Sequence, residues 1–230
     1  MGNDRYHTPL NFHGQKELGN HNILPQFWEN KPDSEIWSSF KKGEEQAFNF
    51  LYKKYVQQLF RYGCEFTTNR ELVKDQVQDL FIYLRRNRAK LGEAPSIKAY
   101  LFKSLRRDIV RELRKENRCW NQPRDYNHNF DISLSHETKL INEQLIKEKK
   151  ECLERALAKL STKQREAIIL FYYENFSYRE IAEVMEMKIV KSARKLIYRA
   201  IDTMRGEILP YKSSLIDSTI LLVAVLCFFI

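Results

Sequence analysis

The stretch from Asn175 to Ile201, NFSYREIAEVMEMKIVKSARKLIYRAI, constrains the fold more than any other part of the chain. It holds two short amphipathic helical patterns separated by only a few residues. Ser177 followed by Glu180 matches the capping box that begins a helix, and Ala182 and Ala193 are small enough for two helices to cross closely. Two such helices and a tight connection predict a helix-turn-helix.

The second of these helices has two chemically different faces. Its apolar face contains Ala193, Leu196, Ile197, Ala200, Ile201 and Met204. Its other face contains Lys191, Ser192, Arg194, Lys195, Tyr198 and Arg199. Cations near the N-terminal end are typical of a recognition helix, because that end meets base edges in the major groove of DNA.

The remaining sequence is also helical in character, since the 230 residues include only seven glycines and six prolines. We therefore predict an all-α protein of two small helical domains joined by a flexible linker. The predicted segments are a mobile extension at 1–31, a first domain at 32–117, a linker at 118–136, a second domain at 137–209 and an apolar tail at 210–230.

Helical periodicity divides the first domain further. Asp33 or Ser34 is the predicted N-cap of its first helix, and a second helix follows around 47–62. A third helix is predicted from about Glu71 to Arg88, and a fourth from Lys98 to Glu116. The fourth helix has an apolar stripe, predicted to be buried, that consists of Leu101, Phe102, Leu105, Ile109 and Leu113.

Positive charge is in excess, with 39 Lys and Arg against 30 Asp and Glu, a net charge of +9. The excess suggests a polyanionic partner, either nucleic acid or an anionic membrane. The span 85–118 holds twelve Lys and Arg but only four Asp and Glu. One face of the predicted fourth helix combines Tyr100, Lys103, Arg107, Arg111 and Arg114, and this one-sign face favours nucleic-acid binding over a merely solvated surface.

Features of an enzyme or a metalloprotein are not evident. The four cysteines are widely spaced, with no C-x-x-C pair and no nearby histidine cluster, which argues against a zinc site or a disulfide framework. Glu71, Asp75 and Asp79 share a helix, but no second acidic cluster or histidine partner accompanies them. We predict no catalytic residues, no metal ligands and no cofactor.

The motifs of both domains resemble the sigma-70 family of bacterial RNA polymerase sigma factors, in its extracytoplasmic-function group. The first domain carries GEEQAFNFLYKKY, VKDQVQDLFIYL and AYLFKSLRRDIVRELRK, and the second is similar to the family's DNA-reading domain from ALAKLSTKQREAIIL onwards. The resemblance covers about residues 34–208. The form KSARKLIYRA resembles versions common in the Bacteroidetes.

The resemblance implies a non-catalytic transcription initiation factor whose partners are core RNA polymerase and promoter DNA. Its region 2-like domain would dock on the polymerase largest subunit through Asp75, Gln78, Asp79 and Ile82. The loop Ala89–Ile97 would melt and hold the −10 element together with Lys98, Tyr100, Lys103, Arg107 and Arg111. Its region 4-like domain would read the −35 element through Lys191, Ser192, Arg194 and Lys195, with Arg179 and Arg199 on phosphates.

Two departures from the family pattern affect these expectations. Arg107 stands where the family usually has Asn, so base preference at −10 is expected to differ. The residues MEMKI before the recognition helix lack the usual Gly-x-Ser turn.

The resemblance also implies an anti-sigma factor, bound at the membrane, as a further partner.

The tail SSLIDSTILLVAVLCFFI ends in 13 residues without charge, shorter than the roughly 20 apolar residues of a full membrane span. It is interpreted as a short membrane anchor, as a segment folded back over the second domain, or as a binding site for an inner-membrane partner. The expected location is the cytoplasm, with membrane association through residues 215–230.

Three rival functions remain at this point. A stand-alone helix-turn-helix regulator would leave the surface of Asp75, Gln78 and Asp79 unexplained. A nucleic-acid enzyme would need the catalytic cluster that the sequence lacks. A membrane-binding basic protein would explain the tail and the charge, but not two successive DNA-facing helices.

Overall fold

The structure, a computed structural model, describes residues 24–119 and 155–208, and every regular element within these ranges is a helix. The predicted all-α class is therefore confirmed. The first domain contains α1 (Leu24–Glu29), α2 (Asp33–Lys42), α3 (Glu45–Cys64), α4 (Arg70–Asn87), a 3-10 turn at Arg88–Lys90 and α5 (Ile97–Cys119). The second contains helical residues 155–158, α6 (Thr162–Ile168), a π-helix at Ile169–Tyr173, α7 (Tyr178–Val184) and α8 (Val190–Ile208). Most of the predicted linker and all of the tail lie outside the described residues.

Helices α3, α4 and α5 form the centre of the first domain by packing their apolar faces together. The predicted apolar stripe of α5 is buried along its whole length, at Leu101, Phe102, Leu105, Ile109 and Leu113. Burial of each such side chain contributes roughly 1.5–3 kcal/mol, so this stripe supplies much of the driving force that orients α5. Its polar side is thereby turned away from α3 and α4.

The beginning of the first domain differs from the sequence-based expectation in two ways. Helix α1 starts at Leu24, within the segment predicted as an extension, and buries Trp28 against Phe50 of α3. The N-cap position of α2 is occupied by Pro32, which makes no side-chain cap. The carboxylate of Asp33 instead accepts a hydrogen bond from the backbone N–H of Ile97 at 2.7 Å. It therefore satisfies an amide at the start of α5, a long-range contact that local pattern cannot reveal.

The second domain contains the predicted helix-turn-helix, formed by α7 and α8. Ser177 and Glu180 form the predicted capping box of α7, and Ser161 and Gln164 form another at α6. Ala182 and Ala193 are buried where α7 and α8 meet.

The two domains share a continuous apolar core. Phe176, in the loop before α7, packs edge-on against Phe102 of α5 with ring centroids 5.1 Å apart. Phe102 also contacts Tyr62 of α3, at 4.9 Å between centroids. Helix α7 lies directly against α5, so the second domain covers part of the first.

None of the helices within the described ranges is both long enough and apolar enough to cross a membrane.

Gly63 permits the close approach of α3, α4 and α5, and its replacement provides a test of this packing. A Cβ atom at Gly63 would lie 2.5 Å from Val73 Cγ1 and 3.0 Å from Ile109 Cδ1. We expect Gly63→Ala to destabilise the protein by about 1–3 kcal/mol despite the better helix propensity of alanine. The measurement is the urea unfolding midpoint.

Gly206→Ala is the matched control, because a Cβ atom at this exposed position of α8 meets nothing within 4 Å. It should leave the midpoint unchanged or raise it slightly. An equal rise in both variants would contradict the tight helix contact at Gly63.

Candidate nucleic-acid interface

The outward face of α8 is exposed and cationic. All six residues predicted for the −35 element have exposed side chains: Arg179, Lys191, Ser192, Arg194, Lys195 and Arg199. No carboxylate within the described ranges forms an ion pair with Arg179, Lys191, Lys195 or Arg199. This face therefore presents concentrated positive charge to solvent, as an interface for the phosphate backbone requires.

The side chain of Arg194 contacts a neighbour on the same helix, Tyr198. Its guanidinium lies 5.4 Å from the ring centroid of Tyr198, and its Nη2 donates to the Tyr198 hydroxyl at 3.4 Å. The hydrogen bond from Arg194 lowers the pKa of Tyr198. DNA would have to compete with this contact to engage Arg194.

The cationic face of α5 is in a different situation, because carboxylates of the second domain lie against it. Lys98 Nζ contacts Glu174 Oε2 at 2.7 Å and donates to the Glu174 carbonyl at 2.7 Å. Further along the helix, Lys103 pairs with Glu183 at 3.7 Å, and Arg107 pairs with Glu186 at 2.6 Å. Three of the five residues predicted for the −10 element thus form contacts between the domains.

The other two predicted −10 residues contact their own domain. Tyr100 is half-buried against Trp37, with ring centroids 5.2 Å apart, and burial raises the pKa of its phenol. Arg111 pairs with Asp108 at 2.9 Å and with Glu112 at 3.6 Å on the same helix. All four cations of the predicted −10 set are therefore ion-paired in this arrangement.

The predicted −10 loop, Ala89–Ile97, is held by contacts with α2 and α7. Trp37 Nε1 donates to the Gly92 carbonyl at 2.8 Å, and Lys41 pairs with Glu93 at 3.0 Å. Ser96 Oγ donates to Glu180 Oε1 at 2.7 Å, which ties the loop to α7. Although burial opposes it, hydrogen bonds from Ser177 and Ser96 lower the pKa of the Glu180 carboxyl, so it remains an acceptor at neutral pH.

A buried carboxylate joins the two domains beneath these contacts. Glu166 of α6 is 2 % exposed, and its Oε1 accepts from the Tyr62 hydroxyl at 2.8 Å and from Arg106 Nε at 2.6 Å. Arg106 Nη2 also donates to Glu166 Oε2 at 3.3 Å. Burial, followed by the negative charge of Glu166, raises the pKa of the Tyr62 phenol well above 10, so Tyr62 remains a donor.

These ion pairs contribute unequally to the domain contact. Exposed pairs such as Arg107–Glu186 contribute about 0–1 kcal/mol each, because solvent screens them. The Arg106–Glu166 pair is buried, and removing one partner from such a pair typically costs 3–5 kcal/mol. Lys98 also pairs with a buried carboxylate, because Glu174 is 4 % exposed. The pairs of Glu166 and Glu174 therefore contribute most to the domain contact, whereas the exposed pairs of Lys103 and Arg107 mainly neutralise the α5 face.

The predicted polymerase-docking residues lie along α4. Asp75, Asp79 and Ile82 are exposed and Gln78 is half-buried. Tyr83, four residues after Asp79, is 54 % exposed and extends the same surface, although it was not predicted. We call the surface of Asp75, Gln78, Asp79, Ile82 and Tyr83 the α4 face.

Sequence reasoning missed the acidic residues of the second domain that meet α5. Glu166 lies within the apolar run REAIIL, and a carboxylate on a buried helical face signals that a partner must lie opposite. Glu174, Glu183 and Glu186 carry no comparable signal, because each has the sequence context of an ordinary surface residue.

Metal binding has no support within 24–119 and 155–208, where no group of three or more His, Cys, Asp or Glu side chains is arranged to hold an ion.

Two family models match the chain in the same order as its domains. Residues 51–119 match Sigma-70 region 2, and residues 150–204 match Sigma-70, region 4. Together they cover more than half of the 230 residues. The chain belongs to the sigma-70 family.

A curated relative, the RNA polymerase sigma factor YlaC of Bacillus subtilis (strain 168), is 28% identical over 148 residues, which are 61% of this chain and 80% of YlaC.

Solved structures with a similar fold include two complexes. CnrH bound to the cytosolic domain of CnrY has a TM-score of 0.52 and 20% identity, and the match covers 79% of this chain and 99% of CnrH. The sigma factor RpoE bound to the anti-sigma factor NepR, from Bartonella quintana, has a TM-score of 0.51 and 22% identity. That match covers 68% of this chain and 93% of RpoE.

The protein is thus a sigma factor of the extracytoplasmic-function type that directs RNA polymerase to promoters through regions 2 and 4. Members of this family are not enzymes, which confirms that prediction. The likeness to Bacteroidetes sequences is not supported by these comparisons.

The role of the buried pair can be tested by removing its cation. Arg106→Met leaves Glu166 buried opposite Tyr62 without a positive partner, and we expect the domain contact to weaken by about 3–5 kcal/mol. Small-angle X-ray scattering should then show a larger radius of gyration. Arg106→Met combined with Glu166→Leu should recover most of the compactness, because an apolar pair tolerates burial.

Arg111→Met is the control for that measurement. It removes an exposed cation whose ion pairs lie within α5, so the radius of gyration should not change. If Arg106→Met is as compact as this control, the buried pair does not hold the domains together.

Proposed function

We propose that α8 reads the −35 element as duplex DNA, that α5 and the loop before it hold the −10 element as single-stranded DNA, and that the α4 face docks on the largest subunit of core polymerase. The observation that carries the proposal is the exposed cationic face of α8, which meets no ion-pairing carboxylate within the described residues. A recognition helix requires such a surface.

On α8 the proposed roles follow position along the helix. Lys191, Ser192, Arg194 and Lys195 lie in its first two turns and contact base edges. Arg179, in the first turn of α7, and Arg199, further along α8, contact phosphates and set the register of the domain on DNA.

On α4 the proposed docking surface combines carboxylates with exposed apolar groups. Asp75 and Asp79 lie one turn apart, and Ile82 and Tyr83 follow one turn later. An acidic and aromatic surface on a chain of net charge +9 is unsuited to DNA, and it suits a protein partner.

A regulatory protein partner is proposed from the solved neighbours. RpoE was determined in complex with the anti-sigma factor NepR, and CnrH with the cytosolic domain of CnrY. We infer that this chain also binds an anti-sigma factor and acts in the cytoplasm, where promoters and core polymerase are found. Membrane contact through residues 215–230 stays a prediction.

The proposed −10 surface requires a change in domain arrangement. Lys98, Lys103 and Arg107 face carboxylates of the second domain, so single-stranded DNA has to replace Glu174, Glu183 and Glu186 as their partners. We therefore propose that the described arrangement is a closed form and that α7 separates from α5 when the −10 element is bound.

Run-off transcription with sigma-free core polymerase on a library of promoter fragments tests the overall proposal. We expect specific transcripts with the wild-type chain and a loss of at least tenfold with Gln78→Ala plus Asp79→Ala. The physical reason is that these substitutions remove two polar groups from the centre of the α4 face.

The control is Gln57→Ala plus Glu44→Ala, which changes an exposed amide and an exposed carboxylate at α3. Transcription should persist with this control. Duplex binding by the wild-type chain without core association or transcripts would overturn the proposal and favour a stand-alone regulator.

A cleavable cross-link tests the closed form. In a background with its four native cysteines replaced, Lys103→Cys and Glu183→Cys are joined by a disulfide-containing bismaleimide. We expect the cross-linked protein to lose transcription, and reduction of the linker to restore it, because α7 can then leave α5.

Lys41→Cys with Glu93→Cys is the matched pair within the first domain, since these residues also form an ion pair. Its cross-linked form should remain active. Full activity of the protein cross-linked between the domains would show that promoter binding does not require their separation.

A further inference from the structure

Two exposed apolar side chains stand at the start of the recognition helix. Ile189, the last residue before α8, is 58 % exposed, and Val190, its first residue, is 45 % exposed. Exposed Lys188 and Lys191 flank them on either side. Single exposed apolar residues are common on proteins, but an adjacent β-branched pair inside a cationic surface is not accounted for by solvation.

Local structure does not account for the pair either. The residue before a helix is favoured when its side chain accepts a hydrogen bond from the helix, as Ser161 and Ser177 do for α6 and α7. Isoleucine has no acceptor, and β-branched residues have lower helix propensity than unbranched ones. Ile189 is therefore a poor choice for helix stability at this position.

The pair is also not needed for the core of the second domain. The buried side of α8 is formed by Ala193, Ile197, Ala200 and Met204. Ile189 and Val190 precede this face, and about half of each remains exposed.

The flanking charges indicate which partner would cover the pair. Lys188, Lys191 and Lys195 are exposed around it and suit the phosphates that border a DNA groove. The apolar group that duplex DNA presents in the major groove is the C5-methyl of thymine. Residues at the N-terminal end of a recognition helix are those that reach base edges there.

We propose that Ile189 and Val190 are specificity-determining residues that contact thymine methyl groups in the −35 element. The inference rests on the proposed reading of that element by α8. This apolar contact adds to the contacts of the α8 cations, and it distinguishes thymine from cytosine without a hydrogen bond. A −35 element selected by this chain should thus contain thymine at one or two positions that depend on these two residues.

The test replaces thymine by uracil, which removes the methyl group and leaves base pairing intact. A −35 sequence is first selected from a random library by the full chain with core polymerase, and each thymine is then replaced in turn. We expect one or two replacements to weaken promoter binding about three- to tenfold for the wild-type chain, as burial of one methyl group predicts.

The variant Ile189→Ser plus Val190→Ala should bind the thymine and uracil promoters equally. Serine before the helix and alanine within it both favour helix formation, so loss of discrimination cannot be attributed to a damaged α8. Lys188→Ala is the matched control, because loss of a phosphate contact should weaken both promoters by the same factor.

Equal binding of thymine and uracil promoters by the wild-type chain at every position would overturn the inference and leave the proposed reading of −35 intact. Loss of core polymerase association in the Ile189→Ser plus Val190→Ala variant would also overturn it, since the pair would then contact protein. If randomising the −35 element has no effect on the wild-type chain, the proposed function itself fails.

Discussion

The carboxylate of Glu166 is buried, and a buried charge is stable only when other groups pair with it. For Glu166 those groups come from the other domain. Tyr62 of α3 and Arg106 of α5 supply three hydrogen bonds to it. Because an unpaired buried charge is expensive, the arrangement is nearly all-or-none: Glu166 is either fully matched or exposed to water. The position of α6, and with it the approach of α7 to α5, depends on that match.

The two helices proposed to contact DNA, α5 and α8, consequently differ in how accessible their cations are in the same conformation. On α8 the cations Lys191 and Lys195 are open to solvent, whereas on α5 Lys98 and Arg107 are neutralised by carboxylates of the second domain. The Arg106–Glu166 pair provides the geometry for this neutralisation, and the exposed pairs of Lys103 and Arg107 add little energy of their own. Under the proposed roles, α8 would engage duplex DNA before the cations of α5 become available.

Periodicity predicted those parts of the fold that depend on local pattern. The α5 stripe, the capping box of Ser177 and the faces of α8 follow from spacing, because a helical face and a cap are set by residues three or four apart. Contacts between residues distant in sequence were not predictable in this way. Asp33 binds Ile97 and Glu166 binds Arg106 across about sixty residues. The sequence around each carboxylate does not indicate which residue it will bind.

The turn between α7 and α8 carries a constraint of its own. Glu186 adopts a left-handed conformation, with φ of 55°, in which a side chain is strained by about 1 kcal/mol and glycine is not. The same residue supplies the carboxylate that meets Arg107, and this hydrogen bond lowers the pKa of Glu186. Glycine would relax the backbone but would also uncover Arg107. The backbone strain at Glu186 and the ion pair that covers Arg107 therefore depend on one residue, and any substitution there alters both together.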